Sequence, residues 1–398
     1  MSELPSSESS LLARDEGYWR DIAARYDVEP GPINLEYGYF GRMTRTVSQA
    51  YQGHIETINR CNSVPVRQHF EQIGSLHSRD AVAGLLGVAP RSVAITQSAS
   101  ASVQAIIRNY NRLRPGDELL VTDLDYDSVQ NAMGWLARQR GLKLITLALP
   151  HPATFDNILE SYRDTFVRNP RIRLMALTHV SHRTGLVMPL EAIARLAREH
   201  DVEIILDGAH ALGQMEFDLE RLGIGLAGFN LQKWIGAPLS LGVLYIAPDR
   251  IDAVDADMGE LRYPQDDIRS RVPYGTPNVP AWLTLPTVIA EHEAMGGSLV
   301  KGARLNYLRD LWVKPAREID GIEVLTPDDP RLYCGITSLR FTRHHDQVAM
   351  AQRLLREFNL FTVAREGSAC GPCIRITPGF VTTPEEVGLL VRALEKLA

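Results

Sequence analysis

Short, uninterrupted apolar runs alternate with amphipathic stretches between about residues 33 and 247. A stretch at 189–200 places its apolar residues on one face of a predicted helix. Alternation of this kind favours an α/β fold with a mostly parallel sheet and helices on both of its faces. Four of the apolar runs are typical of buried strands, at 119–124 (LLVTDL), 144–149 (LITLAL), 174–179 (LMALTH) and 202–206 (VEIIL).

The pattern changes towards the end of the chain, where the last helix has a strong start signal. Thr383 is the predicted N-cap, and Glu386 follows three residues later. We predict a large α/β domain over 33–280 and a smaller α+β domain formed by 1–32 and 281–398. The smaller domain contains predicted helices at 299–318 and 346–358 and strand-like segments at 336–341 and 373–377.

Composition excludes several classes of protein. Of the 398 residues, 45% are hydrophobic and 23% are charged, which leaves ample apolar material for a core and excludes a disordered or collagen-like chain. The net charge is −6, from 42 basic and 48 acidic residues without a basic block, so we expect neither a nucleic acid nor an anionic membrane as partner. No apolar run approaches the ~20 residues of a membrane span.

The cysteine count and the start of the sequence indicate the compartment. Four cysteines in a chain of this length cannot form a secreted disulfide framework. The first ten residues, MSELPSSESS, have no basic or apolar region typical of a signal peptide. We therefore expect a cytoplasmic protein.

Residues suited to one kind of cofactor chemistry follow two strand-like runs. The run at 202–206 leads into Asp207-Gly208-Ala209-His210, and Lys233 follows a further strand near 226–229. Ligands of open α/β sheets bind beyond the carboxyl ends of the strands, so we expect these side chains to converge there. A lysine amine, a carboxylate and an imidazole suit pyridoxal phosphate, as Schiff-base former, partner of the pyridine nitrogen and partner of the phenolic oxygen. Taken singly, the aspartate could equally be a helix cap or an ion-pair partner, and the lysine a solvated surface residue.

A phosphate-binding site is predicted at a strand-to-helix junction. The strand-like 92–95 leads into Thr96-Gln97-Ser98-Ala99-Ser100 and then into a helical stretch. Small residues there leave backbone N–H groups free, and the helix dipole favours an anion. A serine-rich N-cap is the structural alternative.

Together these motifs resemble fold type I pyridoxal-phosphate enzymes of the class V aminotransferase superfamily, in particular the isopenicillin N epimerase-like branch. Cysteine desulfurases and C–S lyases are related to it. The resemblance implies a mostly parallel seven-stranded sheet, pyridoxal 5'-phosphate as cofactor, an amino-acid substrate and a homodimer with active sites at the interface. It rests on Ser98-Ala99-Ser100, Asp123-Leu124-Asp125-Tyr126, Thr178-His179-Val180-Ser181, Thr184-Gly185, Leu206-Asp207-Gly208-Ala209-His210, Asn230-Leu231-Gln232-Lys233-Trp234, Gly275-Thr276, Arg375-Ile376-Thr377 and Thr382-Thr383-Pro384-Glu385-Glu386.

The same resemblance implies catalytic residues. Lys233 would be the Schiff-base lysine and proton shuttle, Asp207 the partner of the pyridine nitrogen, His210 the partner of the phenolic oxygen, and Tyr126 the aromatic residue stacked on the ring. No metal site is expected.

Binding residues are implied as well. The cofactor is expected to contact Ser98, Ala99 and Ser100 at the phosphate, Asn230 and Gln232 beside the lysine, and Thr276 from a second subunit. The substrate is expected to contact Arg375 through its α-carboxylate, Tyr37 and Tyr39 of the N-terminal loop, and His179.

The predicted function is a reaction at Cα of an amino acid or amino-acid conjugate, by a specialised lyase or epimerase of secondary metabolism. An aminotransferase and a cysteine desulfurase with Cys370 as persulfide carrier are alternatives, and a thiol-redox protein using Cys370 and Cys373 is one of another class. Two departures from the family pattern matter. Gln232 replaces the usual histidine before the lysine. Tyr126 replaces the histidine that desulfurases stack on the ring, and this second replacement argues against a simple desulfurase.

Overall fold

Thirteen strands and fourteen α-helices lie within residues 7–273 and 275–398, the part of the chain that the computed structural model describes. The strands are β1 (Ile33–Asn34), β2 (Val93–Thr96), β3 (Glu118–Thr122), β4 (Lys143–Leu147), β5 (Ile172–Thr178), β6 (Glu203–Asp207), β7 (Leu226–Asn230), β8 (Gly242–Ile246), β9 (Ile322–Val324), β10 (Thr337–Phe341), β11 (Leu360–Phe361), β12 (Val363–Arg365) and β13 (Cys373–Ile376).

The helices alternate with these strands, and a π-helical segment, Val66–Gly74, joins the fourth to the fifth. They are α1 (Ser7–Leu12), α2 (Glu16–Ala23), α3 (Arg45–Cys61), α4 (Ser63–Pro65), α5 (Ser75–Leu86), α6 (Ala99–Asn109), α7 (Asp127–Arg140), α8 (Phe155–Arg168), α9 (Leu190–Glu199), α10 (Leu219–Leu222), α11 (Val279–Ala294), α12 (Gly297–Ala316), α13 (Gln347–Phe358) and α14 (Pro384–Leu397). Among the described residues, none of these helices combines the length and the hydropathy needed to cross a membrane.

Seven strands form the large sheet, in the order β2-β8-β7-β6-β5-β3-β4. Only β8 runs antiparallel to its neighbours, so the other six strands end at the same edge of the sheet. The predicted mostly parallel, seven-stranded sheet is confirmed, and its predicted strands differ from the observed ones by one or two residues at either end. Strands such as β3 and β7 are recognisable in sequence because both of their faces are buried.

Helices cover both faces of this sheet. Successive residues of β3 point into different cores: Leu120 belongs to one apolar cluster, whereas Leu119 and Val121 belong to another. Helix α11 places Leu285 and Val288 in the first of these clusters, although it lies beyond the predicted domain boundary at 280. The division of the chain into two domains stays a prediction.

A second, antiparallel sheet has the order β12-β13-β10-β9. Its apolar side chains form a separate cluster with those of α12, α13 and α14, including Trp312, Leu339 and Leu394. The predicted start of the last helix is confirmed: the Thr383 hydroxyl accepts a hydrogen bond from the Glu386 N–H at 3.2 Å, and the Glu386 carboxylate accepts one from the Thr383 N–H at 2.8 Å.

Two glycines let the start of α6 approach the large sheet. A Cβ atom built on Gly242, the first residue of β8, would lie 2.4 Å from the carbonyl carbon of Ser98. A Cβ on Gly228 of β7 would lie 2.9 Å from the carbonyl oxygen of Ala99. The junction predicted to bind phosphate therefore rests directly on the sheet, in space that any side chain would fill.

We expect Gly242→Ala to lower the free energy of unfolding by about 1–3 kcal/mol, because the methyl group meets backbone atoms that cannot rotate away. Gly53 in α3 is the control, since a Cβ there has nothing within 4 Å. Gly53→Ala should leave stability unchanged or raise it by up to about 1 kcal/mol. Urea unfolding of the two apoproteins followed by circular dichroism measures both, and equal midpoints would contradict the packing argument.

Candidate active site

Three predicted residues meet at the carboxyl edge of the large sheet. Asp207 is the last residue of β6, and Lys233 lies three residues beyond the end of the neighbouring β7. The Lys233 Nζ atom is 2.8 Å from Nε2 of His210. An Asp207 carboxylate oxygen accepts a hydrogen bond from the Ala209 N–H at 3.0 Å, which fixes the turn that presents His210. The structure thus brings together the three side chains that the strand ends predict.

Burial shifts the pKa values of Lys233, Asp207 and His210. Desolvation, together with the positive charge of Arg375, lowers the pKa of Lys233 to about 7. Burial raises the pKa of Asp207, opposed by its N–H partner and by the charge of Lys233. Burial also holds the pKa of His210 well below its usual range, so the imidazole is neutral and its Nε2 shares a hydrogen bond with the amine. At neutral pH a large fraction of Lys233 is therefore the uncharged, nucleophilic amine.

The predicted phosphate site is held together by side chains from two elements. The Ser98 hydroxyl caps α6 by accepting a hydrogen bond from the Ala101 N–H at 3.1 Å. Asn230 accepts one from the Ala99 N–H at 2.9 Å, and Gln232 donates to the same Asn230 oxygen at 3.3 Å. The Ala99 amide that was predicted to contact phosphate is thus bonded to Asn230.

Ser100 is the third predicted phosphate-binding residue at the start of α6. It is half-buried and occupies the second position of α6, where a backbone N–H has no partner within the helix. Its amide lies between the bonded amides of Ala99 and Ala101 along the chain. The predicted roles of Ser98, Ala99 and Ser100 toward a phosphate stay predictions.

Several buried polar atoms around Lys233 have no hydrogen-bond partner within the protein. They include Oγ1 of Thr178, Nδ1 of His210 and Oε1 of Gln232. Unpaired buried polar groups are costly, so atoms of this kind at a sheet edge fit a polar ligand. The Thr178 hydroxyl and the neutral His210 ring can each donate a hydrogen bond, and the phosphate and phenolic oxygens of pyridoxal phosphate supply acceptors.

Tyr126 lies at the mouth of the site. It precedes α7, is 38% exposed and makes an edge-on contact with the ring of His182 at 5.0 Å between centroids. Asp125 fixes its position, because the buried carboxylate accepts hydrogen bonds from the N–H groups of Thr122 at 2.6 Å and Thr178 at 2.9 Å. Tyr126 therefore has an open ring surface at the sheet edge, and its stacking role stays a prediction.

The predicted substrate residues differ in accessibility. Tyr39 is 68% exposed, whereas Tyr37 is buried. The ring of Tyr37 packs against that of Trp234, with 5.7 Å between the centroids, and its hydroxyl accepts a hydrogen bond from the Arg42 N–H at 3.3 Å. Burial lowers the pKa of His179 to about 4, and its Nδ1 has no partner. In the structure Tyr37 packs the loop onto the lysine segment.

Arg375 lies in β13 and binds a carboxylate of the protein itself. Its Nε atom donates to Glu36 at 3.2 Å, its second terminal nitrogen donates to the other Glu36 oxygen, and the remaining one donates to the carbonyl of His182 at 2.8 Å. Arg365 of β12 also donates to Glu36, at 2.8 Å. The sequence analysis assigned no functional role to Glu36, His182 or Arg365; the only signal was that Glu36 directly precedes Tyr37 in the N-terminal loop.

The remaining predicted residues are Thr276 and the cysteine pair Cys370 and Cys373. Thr276 is exposed, and its contact with a second subunit stays a prediction. Cys370 lines a small pocket with Asp123 and Thr184, and Lys233 is not part of that pocket. Burial raises the pKa of Cys373 to about 11, opposite to the lowered thiol pKa that dithiol redox chemistry uses.

A lysine, an aspartate and a histidine at this edge of a seven-stranded sheet, beside the start of a helix, define a pyridoxal-phosphate enzyme of fold type I. The family model named aminotransferase class-V matches residues 44–390, and the chain belongs to this family. Membership confirms the expected cofactor and enzyme class.

Curated relatives fall into more than one activity class. Isopenicillin N epimerase of Streptomyces clavuligerus is 26% identical over 95% of this chain and 98% of its own length. A probable cysteine desulfurase of Vibrio cholerae is 24% identical over 88% of each chain.

Solved structures share the fold. The cystine C–S lyase C-DES, in complex with its product cysteine persulfide, has a TM-score of 0.78 at 20% identity over 92% of this chain and 97% of its own. The cysteine desulfurase CsdA of Escherichia coli has a TM-score of 0.80 at 20% identity, over 95% and 98% of the two chains.

We expect the rate at which apoprotein takes up pyridoxal phosphate to rise with pH through about 7 and to level off above it. The pKa of Lys233 is lowered, so its reactive, uncharged form is complete well below the usual lysine value of about 10.4. Borohydride reduction at timed intervals and mass spectrometry measure the lysine-bound cofactor, with Lys233→Ala as the control. A rate that keeps rising to pH 10 would contradict the lowered pKa.

Proposed function

We propose that the protein removes the α-proton of an amino acid or amino-acid conjugate and acts as a lyase or an epimerase. One observation carries the proposal: the Lys233 amine, with a pKa of about 7, is 2.8 Å from the neutral imidazole of His210 at the edge where Asp207 ends its strand. An amine with a pKa near the working pH suits both attack on an aldehyde and proton transfer.

Each residue of the site has a separate task. Bound pyridoxal phosphate supplies an electron sink for the pair left behind when the α-proton departs. Asp207 provides the negative charge that keeps the pyridine nitrogen protonated. Lys233 would hold the cofactor and, once the substrate amine has taken its place, carry the proton, and His210 orients the free amine through its 2.8 Å contact.

A lyase or epimerase is supported over the alternatives by the site and by the relatives. The epimerases match nearly the whole chain, and a hercynylcysteine sulfoxide lyase of Schizosaccharomyces pombe is 20% identical over 62% of it. Tyr126 stands in place of the histidine that desulfurases stack on the ring, and this does not support a desulfurase. The raised pKa of Cys373 does not support a thiol-redox protein.

The cellular setting belongs to the same proposal. We place the enzyme in the cytoplasm, which agrees with the absence of a disulfide among the described cysteines. A role in secondary metabolism is supported by the similarity to isopenicillin N epimerases.

The proposal includes a homodimer with the active sites at its interface. Large apolar side chains are exposed on two segments, with Tyr39 and Phe40 in the N-terminal loop and Met258 and Leu261 on the segment that leads to Thr276. Exposed apolar patches of this kind mark interaction surfaces.

We expect the holoenzyme to introduce solvent deuterium at Cα of an accepted amino acid in D2O. Lys233→Ala should abolish exchange because the proton carrier is lost. Lys301→Met is the matched control: Lys301 also has a pKa lowered to about 7, but it pairs with Nδ1 of His292 at 2.8 Å. A panel of amino acids and cysteine conjugates analysed by NMR and mass spectrometry provides the measurement.

The products separate the two reactions. Deuterated substrate with inverted Cα indicates an epimerase, whereas pyruvate with a released thiol indicates a lyase. Exchange that persists in Lys233→Ala, or that disappears equally in Lys301→Met, would contradict the proposed role of Lys233.

We expect light scattering to give the mass of two chains of 44.3 kDa each for the purified holoenzyme. The exposed apolar segments are the physical reason, since burying them in a symmetric interface removes them from water. A mass of one chain at micromolar concentration, with cofactor bound, would contradict the dimer.

A further inference from the structure

The N-terminal loop, residues 37–42, lies directly on the backbone of the lysine segment. The Gly41 N–H donates to the carbonyl of Gln232 at 2.8 Å. A Cβ atom built on Gly41 would lie 2.1 Å from the carbonyl oxygen of Lys233, far inside the contact distance of any real side chain. The loop therefore touches the lysine itself, at a separation that only glycine allows.

Tyr37 holds this loop in shape. Its hydroxyl accepts a hydrogen bond from the Arg42 N–H at 3.3 Å, so that one side chain joins the two ends of the loop. The Tyr37 N–H donates to the carbonyl of Thr377 at 3.0 Å, one residue beyond the end of β13. Burial raises the pKa of Tyr37 to about 12, so the hydroxyl stays uncharged at neutral pH. The loop is thus tied to the small sheet at one end and closed on itself at the other.

The ring of Tyr37 contacts the residue on the other side of the lysine. It packs against Trp234, with 5.7 Å between the centroids, and edge-on against Phe380 at 5.5 Å. Trp234 is buried and directly follows Lys233 in the chain. The loop therefore holds both neighbours of the lysine, Gln232 through its carbonyl and Trp234 through its ring.

We propose that Tyr37 and Gly41 are positioning residues that hold the backbone of Lys233 at the depth where its amine is shielded from water. The sequence analysis expected Tyr37 to contact the substrate, but its side chain is buried in the protein and acts through the lysine segment. This inference rests on the proposed function in one respect, since it takes Lys233 as the amine that holds the cofactor.

A displaced loop has a measurable consequence at the amine. Burial is the largest cause of the lowered pKa of Lys233. If the loop no longer fits against the lysine segment, water reaches the amine and stabilises its charged form, so the pKa of Lys233 rises toward the usual value of about 10.4. The pH at which apoprotein takes up pyridoxal phosphate therefore reports how the loop is seated, and this measurement needs no substrate.

Two variants disturb the loop in different ways. Tyr37→Phe removes only the hydroxyl that accepts from the Arg42 N–H, and should raise the pH of half-maximal uptake rate from about 7 by about 0.5–1. Gly41→Ala places a methyl group against the Lys233 carbonyl and should raise it by about 1–2. Borohydride trapping and mass spectrometry of the peptide containing Lys233 give the rate at each pH. Near-ultraviolet circular dichroism identifies a variant that has lost its fold, and the other variant then decides.

The chain offers a matched control for each variant. Tyr26 is buried in the same aromatic cluster, 6.2 Å from the ring of Phe380, but its hydroxyl contacts the sulfur of Met295 at 3.5 Å. A Cβ on Gly31 has nothing within 4 Å. Tyr26→Phe and Gly31→Ala should both keep the half-maximal rate at a pH of about 7.

Two results would overturn the inference. One is a wild-type pH dependence in both Tyr37→Phe and Gly41→Ala, and the other is an equal shift in Tyr26→Phe. Wild-type enzyme that takes up the cofactor at Lys233 but exchanges no α-proton would instead contradict the proposed function alone, because uptake is measured without substrate.

Discussion

The partial removal of one amine from water is the constraint on which the site depends. Lys233 has protein on most sides, a neutral imidazole at 2.8 Å and the charge of Arg375 nearby, and these together bring its pKa to about 7. A fully solvated lysine would be protonated at neutral pH and could neither attack an aldehyde nor accept a proton. The contacts that bury Lys233 are therefore needed for its catalytic function.

The topology of the sheet achieves that depth. Because only β8 is reversed, six strands end at one edge, and the residues after β2, β6 and β7 meet there without long connecting loops. Gly242 and Gly228 then let the start of α6 sit directly on the strand ends. The N-terminal loop closes the other side, where the Gly41 N–H donates to the Gln232 carbonyl at 2.8 Å.

Sequence could predict the parts of this arrangement that are local. Buried parallel strands leave unpunctuated apolar runs, and the residues after them share an edge, so Asp207 and Lys233 could be placed together. Contacts between distant segments leave no such signal. Glu36 and Arg375 are 339 residues apart, and nothing in either segment specifies their pairing. The burial of Tyr37 against the lysine segment was missed for the same reason, since a tyrosine in a loop has no periodicity.

The charge balance of the site involves both the cofactor residues, Asp207 and Lys233, and the cluster formed by Glu36 and its arginines. Asp207 would pair with the protonated pyridine nitrogen of the cofactor, so its negative charge is assigned. Glu36 neutralises one of the two positive charges carried by its partners, Arg365 and Arg375. One positive charge is therefore left over beside the Glu36–Arg375 pair. A substrate whose amine would displace Lys233 from the cofactor, and whose carboxylate meets a positive charge, is fixed at two points, which orients the bond at Cα that is to be broken.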